Sequence, residues 1–166
     1  TLSTDSLQGG STLTQQYVKN VLVEHSRIAD DQEAYIAATD PSLGRKLREA
    51  KMAITLEKTR SKEEILEGYL NVAQFGSSVW GVEAASRHYF SHSAKKLTPA
   101  EAALLAGITN APNKYDPVIN PENSIQRRDH VLLRMYEEEF ITKAEYDEAV
   151  GTSLEEMLDV ANTTSG

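Results

Sequence analysis

The chain has 166 residues, of which 40% are hydrophobic, so it is long enough to form one domain with a real core. A formal net charge of −8 argues against a general nucleic-acid binder and against membrane binding by charge alone. The absence of cysteine excludes disulfides and thiolate metal sites. No apolar run approaches the ~20 residues of a membrane span, and the residues before Gly9 do not form a signal peptide.

The first predicted helix covers roughly residues 12–24 and follows two glycines, Gly9 and Gly10. Thr12 and Gln15 have the spacing of a capping box. Helical spacing places Leu13, Tyr17 and Val21 on one face and Gln16, Lys19 and Asn20 on another. A helix start carries a partial positive charge, to which Lys19 adds a full one, so the stretch fits an anion. An ordinary capped surface helix is the alternative.

Further helices are predicted at roughly 43–59, 62–75, 80–90, 99–109, 121–138 and 143–150. Capping boxes support four helix starts, at Ser61–Glu64, Thr98–Glu101, Thr142–Glu145 and Ser153–Glu156. Residues 27–40 are polar and acidic, which predicts a mobile excursion, and residues 110–121 predict an ordered loop. No pair of alternating segments predicts a hairpin, so the fold class is all-α.

A charged cluster stands at the start of the second predicted helix. Arg45 and Glu49 are spaced i, i+4, and Lys46 and Glu49 are spaced i, i+3. Glu49 shares its stripe with core-type residues, which predicts a partly desolvated carboxylate held against two cations. A surface salt bridge of less than ~1 kcal/mol is the alternative.

Later polar residues are interpreted as structural. Tyr69 and Asn71 lie in an apolar helix, where the amide must find hydrogen-bond partners, and Asn71 and Gly76 are expected to fix a turn. Arg127 and Arg128 start or extend a helix, and a solvated basic turn is one interpretation of them.

Histidine and serine chemistry receives little support. His88 and His92 are spaced i, i+4, but the helix is expected to end there and no third metal ligand is placed. No Gly-x-Ser-x-Gly elbow is present, which argues against a serine hydrolase. No cofactor is required by any residue set, and whether a divalent cation assists is left open.

Several motifs in one order resemble the peptidoglycan glycosyltransferases of glycosyltransferase family 51, the polymerising domain of class A penicillin-binding proteins. Gly-x-Ser-Thr-x-Thr-Gln-Gln from Gly9 is similar to the second motif of that family, and Arg45-Lys46-x-x-Glu49 resembles the third. The stretch from Lys62 to Asn71, followed by Gly76, resembles the fourth motif. Arg127-Arg128-x-x-Val-Leu resembles the fifth, and two linking helices also match.

The resemblance runs from about Gly9 to about Val150 and implies a lysozyme-like helical domain. The family's first motif, Glu-Asp-x-x-Phe, has no counterpart, since residues 1–8 contain neither Glu nor an aromatic residue. In the family that Glu is the principal catalytic base. We therefore expect a fragment that is inactive alone: a leader loop at 1–8, a partial glycosyltransferase domain at 9–150 and a short helix or linker tail at 151–166.

The resemblance also implies a reaction, in which lipid II units are joined to a growing glycan strand and undecaprenyl pyrophosphate leaves. Glu49 would be the second essential carboxylate. The substrate-binding residues would be Ser11, Thr14, Gln15, Gln16, Lys19, Arg45 and Lys46. Tyr69, Asn71, Gly76, Arg127 and Arg128 would brace the fold.

The resemblance implies partners as well: the membrane, through an N-terminal anchor, and a C-terminal penicillin-binding transpeptidase domain. The location would be the extracytoplasmic face of a bacterial plasma membrane. Two alternatives stay open, a lytic glycosidase of the same fold and a helical adaptor without chemistry.

Overall fold

The computed structural model describes residues 11–159. Gly9 and Gly10, the predicted leader at 1–8 and residues 160–166 of the predicted tail lie outside the described residues. Within 11–159 the secondary structure is helical and contains no strand, only an isolated bridge between Gln74 and Trp80. This confirms the all-α prediction. The chain divides into two compact units, the first ending at Val72 and the second beginning at Ala73.

Among its described residues, the first unit contains four helices: α1 (Leu13–Ile28), α2 (Gln32–Thr39), α3 (Leu43–Glu57) and α4 (Lys62–Val72). Helix α1 packs against each of the other three. The apolar side chains buried in this unit are Val18, Ala38, Ala53, Ile65 and Tyr69. The buried face of α1 therefore carries Thr14 and Val18, whereas Leu13 and Val21, predicted to share one apolar face, are each 39% exposed.

Helix α2 was not predicted, because its polar composition indicated a mobile excursion over residues 27–40. The structure shows this prediction to be wrong: α1 continues to Ile28 and α2 follows after a short turn. Asp30 adopts a positive φ of 52° in that turn, and the Asp31 side chain accepts a hydrogen bond from the Ala34 N–H at 2.9 Å. A local cap and one buried residue, Ala38, fix a helix that has little apolar periodicity.

The second unit contains five helices among its described residues, together with a short 3-10 turn at Ala94–Lys96. These are α5 (Val82–Phe90), α6 (Pro99–Asn110), α7 (Pro121–Glu137), α8 (Lys143–Gly151) and α9 (Leu154–Met157). Helix α6 is the most buried and packs along α7, with Ala103, Leu104 and Ile108 almost fully enclosed.

Each predicted capping box is formed. Thr98 and Glu101 begin α6, Thr142 and Glu145 begin α8, and Ser153 and Glu156 begin α9. Before α4, the Ser61 N–H donates to Glu64 and the Glu64 N–H donates to the Ser61 hydroxyl. The backbone N–H of each capping residue lowers the pKa of its partner carboxyl in Glu64, Glu145 and Glu156. None of the helices over residues 11–159 has the length and apolarity to cross a bilayer.

Candidate active site

The start of α1 is organised by its own side chains. The Thr12 hydroxyl accepts the Gln15 N–H at 3.2 Å, and Gln15 Oε1 accepts the Thr12 N–H at 3.0 Å, as predicted. Gln16 Nε2 donates to the carbonyl oxygen of Ser11 at 3.4 Å. Ser11, Gln16 and Lys19 are exposed, whereas Gln15 is half-buried and its amide oxygen serves the cap. This turn presents polar groups and one lysine to solvent.

Thr14 lies differently from its neighbours. Its side chain is only 6% exposed, and its hydroxyl donates to Glu57 Oε1 at 2.6 Å. The donor that the sequence suggested for substrate is therefore already used within the protein. Glu57, the last residue of α3, was missed by the sequence analysis because its partner is 43 residues away.

Arg45 and Glu49 form a buried ion pair on α3. Arg45 Nη1 lies 2.5 Å from Glu49 Oε1, and the two side chains are 11% and 6% exposed. Arg45 Nε also donates to the carbonyl oxygen of Asp40, just before the helix. The alternative of a solvated surface salt bridge is therefore wrong. These contacts fix the plane of the guanidinium. They use only some of its five N–H donors, so others remain for a ligand.

Lys46 does not share in that pair. It is exposed, and over residues 11–159 the ion pair to Glu49 comes from Arg45 alone. The expectation of a carboxylate held against two cations is therefore half right. Lys46 is a solvated cation placed one residue from a fixed, buried one.

A groove of about 470 Å³ opens beside the start of α1. Its walls combine apolar side chains, Leu13, Ile65 and Leu66, with the charged residues Glu57 and Arg60. Arg60 pairs with Glu64 at 3.3 Å. All of these residues belong to the first unit, as do the α1 cluster and the Arg45–Glu49 pair.

Of the two residues expected to brace α4, only one is enclosed. Tyr69 is 6% exposed and belongs to the core. Asn71 is exposed one residue before α4 ends, so the prediction that its amide must find partners within an apolar run is wrong. Helical spacing places Asn71 on the same face of α4 as Glu64 and Glu67, which are both exposed.

Gly76 occupies a place that only glycine fits. Its φ is 148°, and a Cβ there would lie 2.4 Å from the Tyr89 hydroxyl. That hydroxyl donates to the carbonyl oxygen of Phe75 at 2.7 Å. Burial, and then the neighbouring carboxylate of Asp116, raises the pKa of Tyr89. A buried hydroxyl thus holds the turn after α4.

Arg128 and Arg127 differ in their surroundings. Arg128 is 2% exposed and donates to the carbonyl oxygens of Thr152 at 2.6 Å and Val150 at 3.3 Å. A solvated basic turn is therefore the wrong interpretation of Arg128. Arg127 is half-buried, with its guanidinium 5.8 Å from the centre of the Tyr115 ring.

His88 and His92 make contacts with different partners. His92 Nε2 lies 3.0 Å from Glu101 Oε1, and its Nδ1 lies 3.1 Å from the carbonyl oxygen of Ser93. His88 packs edge-on against Tyr89. Across the described part of the chain, no group of three His, Cys, Asp or Glu residues has a metal-binding arrangement.

Comparison with known proteins places these features in a family context. A family model described as transglycosylase matches residues 1–136. The chain is 44% identical over 148 residues to penicillin-binding protein 1A of Aquifex aeolicus, covering 89% of the chain and 18% of that protein. It is 42% identical over 144 residues to penicillin-binding protein 2D of Bacillus subtilis, covering 87% and 19%.

A solved structure is similar as well. A crystal structure of penicillin-binding protein 1A from Haemophilus influenzae matches with a TM-score of 0.52 and 32% identity. The match covers 82% of this chain and 16% of that one. The chain thus spans about a fifth of the length of the relatives it matches.

Proposed function

Because the chain belongs to the transglycosylase family, we propose that it acts as a peptidoglycan glycosyltransferase that polymerises lipid II and releases undecaprenyl pyrophosphate. The observation that carries this proposal is the buried Arg45–Glu49 pair on α3, beside the exposed Lys46. A fixed guanidinium next to a solvated ammonium suits a pyrophosphate leaving group, because both of its phosphates carry negative charge.

The proposed reaction transfers a glycan strand from a pyrophosphate oxygen to a sugar hydroxyl oxygen. A sugar hydroxyl of the acceptor attacks the anomeric carbon of the growing strand, forming a new C–O bond as the bond to pyrophosphate breaks. A general base takes the hydroxyl proton. Negative charge grows on the departing pyrophosphate, so cations already in place lower the barrier.

We assign the cations to this leaving group. Arg45, held by Glu49 and by the Asp40 carbonyl, would donate its remaining N–H groups to one phosphate. Lys46 and Lys19, both exposed, would neutralise charge from solvent-facing positions. Glu49 keeps the guanidinium oriented, since without it a buried cation would lack a fixed partner.

The polar start of α1 supplies the remaining contacts in this proposal. Ser11 and Gln16 are exposed there, and Gln15 shapes the turn through the capping box. Thr14 supports the turn from its buried side. The unpaired N–H groups of a helix start attract an anion.

We further propose where the domain works and with what. It would act at the extracytoplasmic face of a bacterial plasma membrane, with lipid II and the glycan strand as partners. A penicillin-binding transpeptidase domain and a membrane anchor would belong to the same parent protein. Residues 9–150 would constitute the glycosyltransferase part.

The 166 residues alone are expected to make no polymer, because they contain no counterpart of the Glu-Asp-x-x-Phe motif. Measurable turnover by the isolated chain would contradict this expectation. If the expectation is right, activity should require a protein in which a first-motif segment is present.

The test is polymerisation of labelled lipid II by the full-length protein that contains residues 1–166. Glycan strands resolved on a gel are the expected product, and Lys46→Ala or Glu49→Ala should abolish them. Lys51→Ala, which removes another exposed lysine of α3, is the matched control and should polymerise normally. Cleavage of preformed strands without polymerisation would indicate a lytic glycosidase, and neither reaction would indicate an adaptor. Full activity in both variants would contradict the roles assigned to Lys46 and Glu49.

A further inference from the structure

Two helix ends in the first unit lack the charged residues that a helix dipole favours there. Helix α1 has no acidic residue in its first turn, where a negative charge is favourable. Helix α3 ends on Glu57 with no basic residue in its last turn, where a negative charge is unfavourable. Helix α3 therefore ends on a charge that its own dipole disfavours, and α1 begins without the charge that its dipole would favour.

A tertiary contact brings the carboxylate at the end of α3 to the start of α1. Glu57 Oε1 accepts the hydroxyl of Thr14, in the first turn of α1, at 2.6 Å. The carboxylate of α3 thus lies at the positive end of α1 and acts as the acidic residue that α1 lacks. Arg60, which lines the same groove, pairs with Glu64.

The contact lies on the face of α1 opposite to its solvent-exposed polar groups. Thr14 and Val18 are buried, whereas Gln16 and Lys19 are exposed. A carboxylate within the first turn itself would stand near those exposed groups and repel an anion. Because the charge comes from α3, it stabilises the first turn of α1 from the buried side of that helix. The solvent-exposed side of the turn carries no negative charge.

The same helix carries the buried ion pair. Glu57 lies two turns beyond Glu49 on α3, about 12 Å along the helix axis. One rigid element therefore holds Arg45 through Glu49 and holds the start of α1 through Glu57.

We propose that Glu57 is a positioning residue, which through Thr14 fixes the start of α1 so that Gln16 and Lys19 keep a defined place relative to Arg45. This role rests on the proposed glycosyltransferase function. Glu57 acts through Thr14 and does not touch the reacting atoms.

The test measures kcat, KM and thermal stability in the full-length protein with labelled lipid II. Glu57→Ala and Thr14→Val, which remove the acceptor and the donor, should each lower kcat/KM by about tenfold. Because they break one contact, the double variant should be no worse than the poorer single one. Thr14→Ser, which keeps the hydroxyl, should recover most of the loss, and Glu57→Gln should lose less than Glu57→Ala.

Asp31→Ala is the matched control for stability. It removes the cap of α2 in the same unit, away from the Thr14–Glu57 contact. It should lower the melting temperature but leave kcat/KM unchanged.

The outcomes separate this proposal from the function on which it rests. A wild-type protein that makes no polymer overturns both. A wild-type protein that polymerises, with Glu57→Ala and Thr14→Val losing melting temperature but not kcat/KM, overturns the positioning role alone, as do losses that multiply in the double variant. If Glu57→Ala does not fold, Glu57→Gln, Thr14→Val and Thr14→Ser decide the question by the same kcat/KM comparison.

Discussion

Arg128 of α7 donates its guanidinium Nη1 to the main-chain carbonyl oxygen of Thr152 at 2.6 Å, and so fastens α7 to the residue that follows α8. Replacing it by methionine should lower the free energy of unfolding by about 2–3 kcal/mol, because two part-buried carbonyl oxygens and the Asp129 carboxylate lose a charged donor. Chemical denaturation measures the change. Arg134→Met, at an exposed position of the same helix, is the control and should cost under ~0.5 kcal/mol.

The contact between Gly68 and Tyr17 predicts that Gly68→Ala changes stability in opposite directions with and without the Tyr17 ring. A Cβ on Gly68 would lie 2.5 Å from the Tyr17 hydroxyl oxygen and 2.6 Å from its Cζ, so Gly68→Ala must displace the ring. We expect a loss of about 1 kcal/mol in stability. In a Tyr17→Leu background the clash is gone, and the same change should stabilise by up to ~1 kcal/mol through helix propensity. Equal effects in both backgrounds would contradict the packing explanation.

The contacts of His92 predict a pH dependence of stability. The Ser93 carbonyl, and then the Glu101 carboxylate, raise the pKa of His92. Both ring nitrogens face acceptors, so the doubly protonated ring satisfies both. The stabilisation is complete below the unfolded value of about 6.5 and is lost as pH rises through the higher folded pKa.

His92→Gln should therefore flatten the fall in the free energy of unfolding above about pH 6.5. Denaturation curves across that range provide the measurement. An unchanged slope in the variant would assign the pH dependence to other groups.

Arg45 should not tolerate lysine. Its guanidinium donates to the Asp40 carbonyl and to Glu49 together, and a single ammonium cannot reproduce that fork. If Arg45 holds the leaving group, Arg45→Lys should lower kcat by about 100-fold. Arg48→Lys, an exposed neighbour on α3, should retain activity in the same lipid II assay.

Sequence succeeded where the determining contacts are local. The capping boxes at Thr12, Thr98, Thr142 and Ser153 were predicted from four-residue patterns and are all formed. Helices with strong periodicity were likewise placed correctly, with ends within a few residues.

Prediction from the sequence failed where a contact depends on a residue far away in the chain. Glu57 has no local motif, and its contact with Thr14 spans 43 residues. Helix α2 was missed because one buried residue, Ala38, gives no periodicity. Asn71 has a different cause: it was assigned to an enclosed position from its apolar neighbours in sequence, although helical spacing places it with the exposed Glu64 and Glu67.

The capping boxes also bear on how the chain folds. Each box closes within four residues and needs nothing from the rest of the molecule. Closing so short a loop costs little chain entropy compared with a contact such as that of Arg128 with Thr152. The capping boxes of the second unit therefore favour the observed helix boundaries through contacts that are local in sequence, which narrows the set of conformations from which the core must form.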